Sequence, residues 1–193
     1  AARRHIPLGE QLKPLLDLDA LGKTEGENWV WHGAQCLPPA YDRCLVSLSR
    51  GGADASVMRE FDIATRRFVE GGFALPEAKS DVTWLDLDTV YVGTDFGPGS
   101  LTDSGYPRVV KRWQRGQPLT DAVTVFEGRK TDVAAGVSVD LTPGFERTTF
   151  SRATDFYNSE NALLVEGKLV PIKKPSDATV AFWYSSALVE LRS

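Results

Sequence analysis

The sequence predicts an all-β protein: a partial β-propeller of about three and a half four-stranded blades behind a short helical N-terminal head. Three observations carry this reading. From position 28 onward, short β-branched and aromatic runs alternate with turn residues about every ten positions. These runs recur as units with a period of about 45 residues, the size of one blade. Helical periodicity is confined to the first 27 residues.

The head, 1–27, contains GEQLKPLLDLDALGKTEG, whose leucines fall at helical spacing and predict one or two short helices. Asp17 or Asp19 is suited to cap the second, and Gly22 and Gly26 to end it. Beyond the head, strands are expected at 29–36, 44–49, 57–62, 67–69, 82–85, 89–94, 108–115 and 123–127. Further strands are expected at 135–141, 147–152, 155–157, 162–166, 169–172, 180–184 and 188–192. They group into blades at about 28–70, 71–128, 129–174 and an incomplete 175–193.

The grouping rests on an internal repeat. DRCLVSLSRGG from Asp42 overlays DTVYVGTDFGPG from Asp88. Each follows an aromatic run (WVWHGAQC, VTWLD), precedes a third (VMREFD, RVVKRW) and reaches a fourth (RRFV, AVTVF). The last unit, VAFWYS then ALVELRS, supplies two inner strands without outer ones. A complete propeller closes on itself with about four to eight blades. The chain is therefore expected to be a fragment of a longer protein. Its open ends should self-associate through edge strands unless the head covers one.

Bulk properties exclude several classes. Hydrophobic residues make up 42% and charged residues 25%, an ordinary globular balance. A net charge of −4 weighs against a nucleic-acid partner. The densest basic group, Arg108, Lys111, Arg112 and Arg115, reads as a solvated outer strand. No apolar run reaches the ~18 residues of a membrane helix, so no membrane partner is expected. Residues 1–10 carry two arginines without an apolar segment behind them, unlike a signal peptide.

The segment TDFGPGSLTDSGYPRVVKRWQR, 94–115, is the most distinctive. It lacks the lysine and following helix of a phosphate loop, and no G-x-S-x-G occurs in the chain. Only His5 and His32 could serve as a base, so no catalytic residue is assigned and no cofactor is expected. What the segment offers is a loop of about a dozen residues between the second and third strands of one blade. Loops of that length are often functional, as lids or gates, and the alternative is an inert surface loop. His32, Cys36, Asp42 and Cys44 lack the paired spacing of structural zinc, so no metal is expected. Cys36 and Cys44 are expected as reduced thiols buried in a hairpin, although a turn near Ala40 would set them opposite each other for a disulfide. Trp29, Trp31, Trp84 and Trp183 fall in first strands of blades, where packing between blades competes with a saccharide platform as their role.

Three segments resemble a known family: WVWHGAQCLPPAYDRCLVSLSRGGADASVMREFD, VGTDFGPGSLTDSGYPRVVKRWQRG and DALGKTEGENWVW. They look like the N-terminal half of bacterial serine peptidases of the prolyl oligopeptidase family, over about 15–193. The resemblance implies a seven-bladed propeller over a C-terminal α/β-hydrolase domain that holds the catalytic Ser, Asp and His. This chain would then be inert alone, with that hydrolase domain and a peptide substrate as its partners. The resemblance also implies a substrate-gate loop, comprising Thr94, Asp95, Phe96, Gly97, Pro98, Gly99, Ser100, Asp103 and Tyr106. The segment departs from classical prolyl oligopeptidases, so proline specificity is not carried over. The competing reading is a non-catalytic propeller that binds a peptide or saccharide. A G-x-S-x-G within a further ~500 residues of the reading frame, as the resemblance implies, would decide for the peptidase. The resemblance is bacterial and leaves the compartment, cytoplasm or periplasm, open.

Overall fold

The computed structural model describes residues 14–192. His5 and the first part of the head lie outside them. One helix, α1 (Leu18–Glu25), follows an N-cap in which Asp17 accepts the Ala20 N–H at 2.9 Å. Asp19 falls in its first turn. Gly26, at φ 71°, ends the helix by donating to the Gly22 carbonyl, so Gly22 is interior and only Gly26 is a stop.

Four antiparallel sheets follow. The first is β1 (Trp29–Cys36), β2 (Arg43–Arg50), β3 (Ser56–Asp62) and β4 (Arg67–Phe68), with β5 (Ala74–Ala78) also paired to β3. The second is β6 (Asp81–Asp86), β7 (Thr89–Gly93), β8 (Val109–Gln114) and β9 (Val123–Glu127). The third is β10 (Ala134–Asp140), β11 (Arg147–Ala153), β12 (Ser159–Val165) and β13 (Lys168–Pro171). The last is the hairpin β14 (Thr179–Trp183) and β15 (Ser186–Glu190). This is the strand order of a partial propeller.

Two strand expectations are corrected. Residues 155–157 form a turn, because the Asp155 carboxylate accepts the N–H groups of Tyr157 and Asn158 at 2.8 and 2.9 Å. The β5 segment ALPEA carries no period-2 apolar signal and contains a proline, which an edge strand tolerates. A short 3-10 turn, Leu119–Asp121, precedes β9.

Strand periodicity explains how the sheets stack. Along β2, Cys44, Val46 and Leu48 face one way and Leu45 the other. The first set packs with Trp29 and Phe61 against Leu16, Leu18 and Leu21, so the head helix covers the outward face of the first sheet. Glu25 holds it there, accepting from Arg59 at 2.7 Å and from the Trp29 indole at 2.7 Å. Leu45 joins Met58, Phe73, Leu75, Trp84, Val90, Val92 and Trp113 between the first two sheets. Tyr91, on the other face of β7, meets Val110, Val137 and Phe150 between the second and third. Trp29 and Trp84 are thus core residues, while Trp31 and Trp183 are 50% and 68% exposed. The terminal hairpin also shows Leu188 and Val189 to solvent. Self-association at that end would bury a sheet face as well as an edge.

Glu60 on β3 lies in the first interface with its side chain fully buried. It accepts the Phe73 N–H at 2.9 Å and both terminal nitrogens of Arg115 at 2.8 and 3.1 Å. Arg43 lies 3.8 Å away. Arg115 belongs to the second sheet's turn and also donates to the Leu87 carbonyl.

The cysteine expectation is overturned. Cys36 and Cys44 are direct partners in the β1–β2 register and are joined in a disulfide. The turn at 37–42 brings them face to face, and neither thiol is left for a metal. Alkylation of the folded chain should therefore label no cysteine before reduction and both after it. Reduction should lower stability by about 2.5 kcal/mol, the closure entropy of so short a loop.

Arg115→Ala strands the buried Glu60 carboxylate and should cost about 3 to 5 kcal/mol in urea unfolding, whereas Glu60→Ala leaves Arg115 partly exposed and paired with Asp88 at 3.1 Å and should cost less. The double substitution should cost clearly less than the sum of the two.

Candidate functional site

The loop 94–107 connects β7 to β8, the second and third strands of its sheet. Its glycines set turns. Gly97, Gly99 and Gly105 have φ of 101°, 84° and 76°, and no atom lies within 4 Å of where their Cβ would be. Conformation, not space, demands glycine there.

The first part of the loop closes on Ser100. Its buried hydroxyl accepts the Phe96 N–H at 2.9 Å and lies 2.7 Å from the Gly97 carbonyl, to which it donates. Asp95 accepts the Gly97 N–H at 2.8 Å. Ser100 is therefore a turn staple committed to backbone partners. Thr94, buried at the loop's entry, shares a 2.7 Å hydrogen bond with the Ser80 hydroxyl. Phe96 packs on the first interface cluster beneath the Lys111 ammonium, 4.4 Å from the ring centre. Pro98 and Gly99 form the exposed tip.

The second part is strapped to the connector 128–133 between the second and third sheets. Leu101 bridges to Pro107, and the Thr102 N–H donates to the Tyr106 carbonyl at 2.8 Å. Thr102 Oγ1 donates to the Val133 carbonyl at 3.0 Å, and the Asp103 N–H to the Lys130 carbonyl at 2.8 Å. Asp103 also pairs with Lys130 at 3.3 Å. Arg108 clamps both sides, donating to the Gly99 carbonyl at 2.6 Å and to the Gly128 carbonyl at 2.9 Å. Within the connector, buried Asp132 accepts from Arg152 at 2.8 and 3.0 Å and from the Arg129 N–H at 2.6 Å. The hydrogen bonds from Arg152 hold the Asp132 carboxyl below the usual carboxylate range, against the opposing pull of burial.

Of the nine loop residues singled out from sequence, Tyr106 lines a cavity. It borders a space of about 540 Å³ between the first three sheets, where His32, Asp54, Lys79, Asp81 and Ser151 also converge. Lys79 lies 4.3 Å from the Tyr106 ring centre and 3.8 Å from Asp54. Asp95, Gly97 and Ser100 cluster in the turn instead, and Thr94 is tied to Ser80 at the loop's entry. Sequence reasoning considered His32 only for a metal or a base and passed over Asp54, Lys79 and Asp81, which stand in turns and strand starts with no motif around them.

Sheets of this order, stacked face to face, define a β-propeller. The chain belongs to the prolyl oligopeptidase family: residues 2–143 match the family's N-terminal β-propeller domain. It is 44% identical over 185 residues to a Sinorhizobium fredii protein named uncharacterized peptidase y4nA, covering 93% of this chain and 26% of that one. A Rickettsia prowazekii protein, also named an uncharacterized peptidase, is 31% identical over 180 residues, covering 86% of this chain and 25% of its own. Among solved structures, a post-proline cleaving enzyme from Rickettsia typhi matches with a TM-score of 0.80 at 30% identity, over 86% of this chain and 26% of that chain. A prolyl endopeptidase at 15% identity, with a TM-score of 0.72 over 94% of this chain and 27% of its own, shares the fold. The chain spans about a quarter of the length of the curated relatives it matches.

The Asp132–Arg152 pair makes a pH prediction. A carboxyl lowered in the folded state contributes stability that is fully present above its unfolded value of about 3.9, and loses it as pH falls through the folded value. Acid titration should thus loosen the strap below about pH 4. Asp132→Asn should remove that component and speed amide exchange at 99–107, read by hydrogen–deuterium exchange.

Proposed function

We propose that this chain is the propeller portion of a serine oligopeptidase and controls peptide entry to a C-terminal α/β-hydrolase domain. The observation that carries the reading is the strapped loop 94–107, whose Tyr106 borders the cavity between three sheets. Membership of the prolyl oligopeptidase family supports it. The loop supplies no nucleophile–base pair, since Ser100 is buried and bonded to its own turn. Its contribution would be to access, with the chemistry performed elsewhere in the longer protein. Short peptides would pass and folded proteins would not. The Rickettsia typhi relative is a post-proline cleaving enzyme, which makes proline-containing peptides the first substrates to try.

The strap makes the loop a braced block and not a floppy lid. Loop 94–107 and connector 128–133 should shift together, hinged at the Arg108 clamp. In the full-length protein, Arg108→Ala or shortening of 96–106 should change kcat/KM for peptides of ten or more residues by about three- to tenfold. A minimal chromogenic substrate should change little. Equal effects on long and short substrates, with stability unchanged, would refute a size-selective gate.

A further inference from the structure

The 540 Å³ cavity beside Tyr106 adjoins a second of about 370 Å³ between the second, third and fourth sheets. The two share Asp81, Gly136 and Ser151, and Asp81 stands at their junction. Their walls carry three carboxylates, Asp54, Asp81 and Asp140, and two cations, Lys79 and Arg147. Both cations are engaged: Lys79 lies 3.8 Å from Asp54, and Arg147 lies 3.3 Å from Asp140 and also donates to the Phe145 carbonyl. Among the described residues, none pairs with Asp81. Its carboxylate reaches instead toward β10, where a Cβ on Gly136 would stand 3.3 Å from Oδ2.

Asp81 is an exposed residue whose carboxylate opens into both cavities. Protein atoms crowded around the carboxyl raise it above its ordinary value, and the neighbouring Val137 N–H offsets part of that. An incoming cation would recover the Coulomb attraction that this site lacks. The wall opposite is built of small side chains, Ala134, Gly136 and Ala153, which leave room for a chain to lie against.

We propose that Asp81 anchors a subsite for a peptide ammonium, either the free α-amino group or a lysine side chain. An ammonium is a compact charge with three donors. Asp81 takes one, and the Ser151 and Ser80 hydroxyls that line the same cavity offer acceptors for the others. The proposal rests on the reading of the chain as the entry portion of a peptidase. The two fail separately: that reading is tested by peptide length, this one by peptide charge.

The test is titration of the 193-residue chain, followed by amide NMR shifts, with three glycine–alanine pentapeptide amides. One has a free N-terminus, one is acetylated with a central lysine, and one is acetylated and uncharged. At least one charged peptide should bind about tenfold tighter than the neutral one, the difference of one charge-assisted hydrogen bond. Which charged peptide shows the preference tells α-amine from lysine. Asp81→Asn should erase the preference. Gly136→Ala, which crowds the carboxylate from the facing strand without changing charge, should weaken the charged peptides several-fold. Asp54→Asn should leave the preference in place. Equal binding of charged and neutral peptides, no binding of any of them at millimolar concentration, or a preference that survives Asp81→Asn with the fold intact would overturn the proposal.

Discussion

The contact between Glu60 and Arg115 organises the molecule. A carboxylate with no solvent exposure is tolerable only when its lone pairs are filled. Here the Phe73 N–H and the arginine fork fill them. Phe73 itself packs edge-on to Trp84 and Trp113, at 5.8 and 5.0 Å. One ion pair therefore fixes the chain leaving the first sheet, the turn of the second, and the aromatic cluster between them. Lysine could not substitute for Arg115, because a point charge cannot hold two carboxylate oxygens and a carbonyl in one plane.

That fixed interface gives the loop 94–107 a rigid base. Thr94 is tied to Ser80 and Phe96 rests on the same cluster, so the loop starts from the immobile part of the fold. Its far half is bound to the next connector by Thr102, Asp103 and Arg108. A loop held at both halves gates by shifting as a block with its neighbour. Its glycines are hinge-shaped residues serving fixed turns.

The fold was largely legible because the repeat of β-branched and aromatic runs marks strands by their own chemistry. Asp42 and Asp88 open matching second strands, and the register built on them placed the loop correctly between β7 and β8. Three features were not legible. Pro76 and the absent alternation hid β5, which exists because β3 has a free edge to pair. Asp155 looked strand-flanking but uses its carboxylate to close a turn. The facing of Cys36 and Cys44 across a turn near Ala40 was legible, but whether two facing thiols are joined is not written in their spacing. The cavity residues were hidden for a different reason: Asp81 and Gly136 come from different sheets, Asp54 and Lys79 from connections, and they converge only when the sheets stack.

The interfaces are unequal. The first contains two tryptophans, a phenylalanine and a buried ion pair, while the second has Tyr91 and Phe150 at its centre. The last hairpin contributes mostly exposed side chains. A ribosome releases the chain in that same order, and domains fold as they emerge. The helix and first two sheets can thus settle while later ones are still being made. Each later sheet then finds a finished surface to condense on, and the strongest packing is completed where the nascent chain has waited longest.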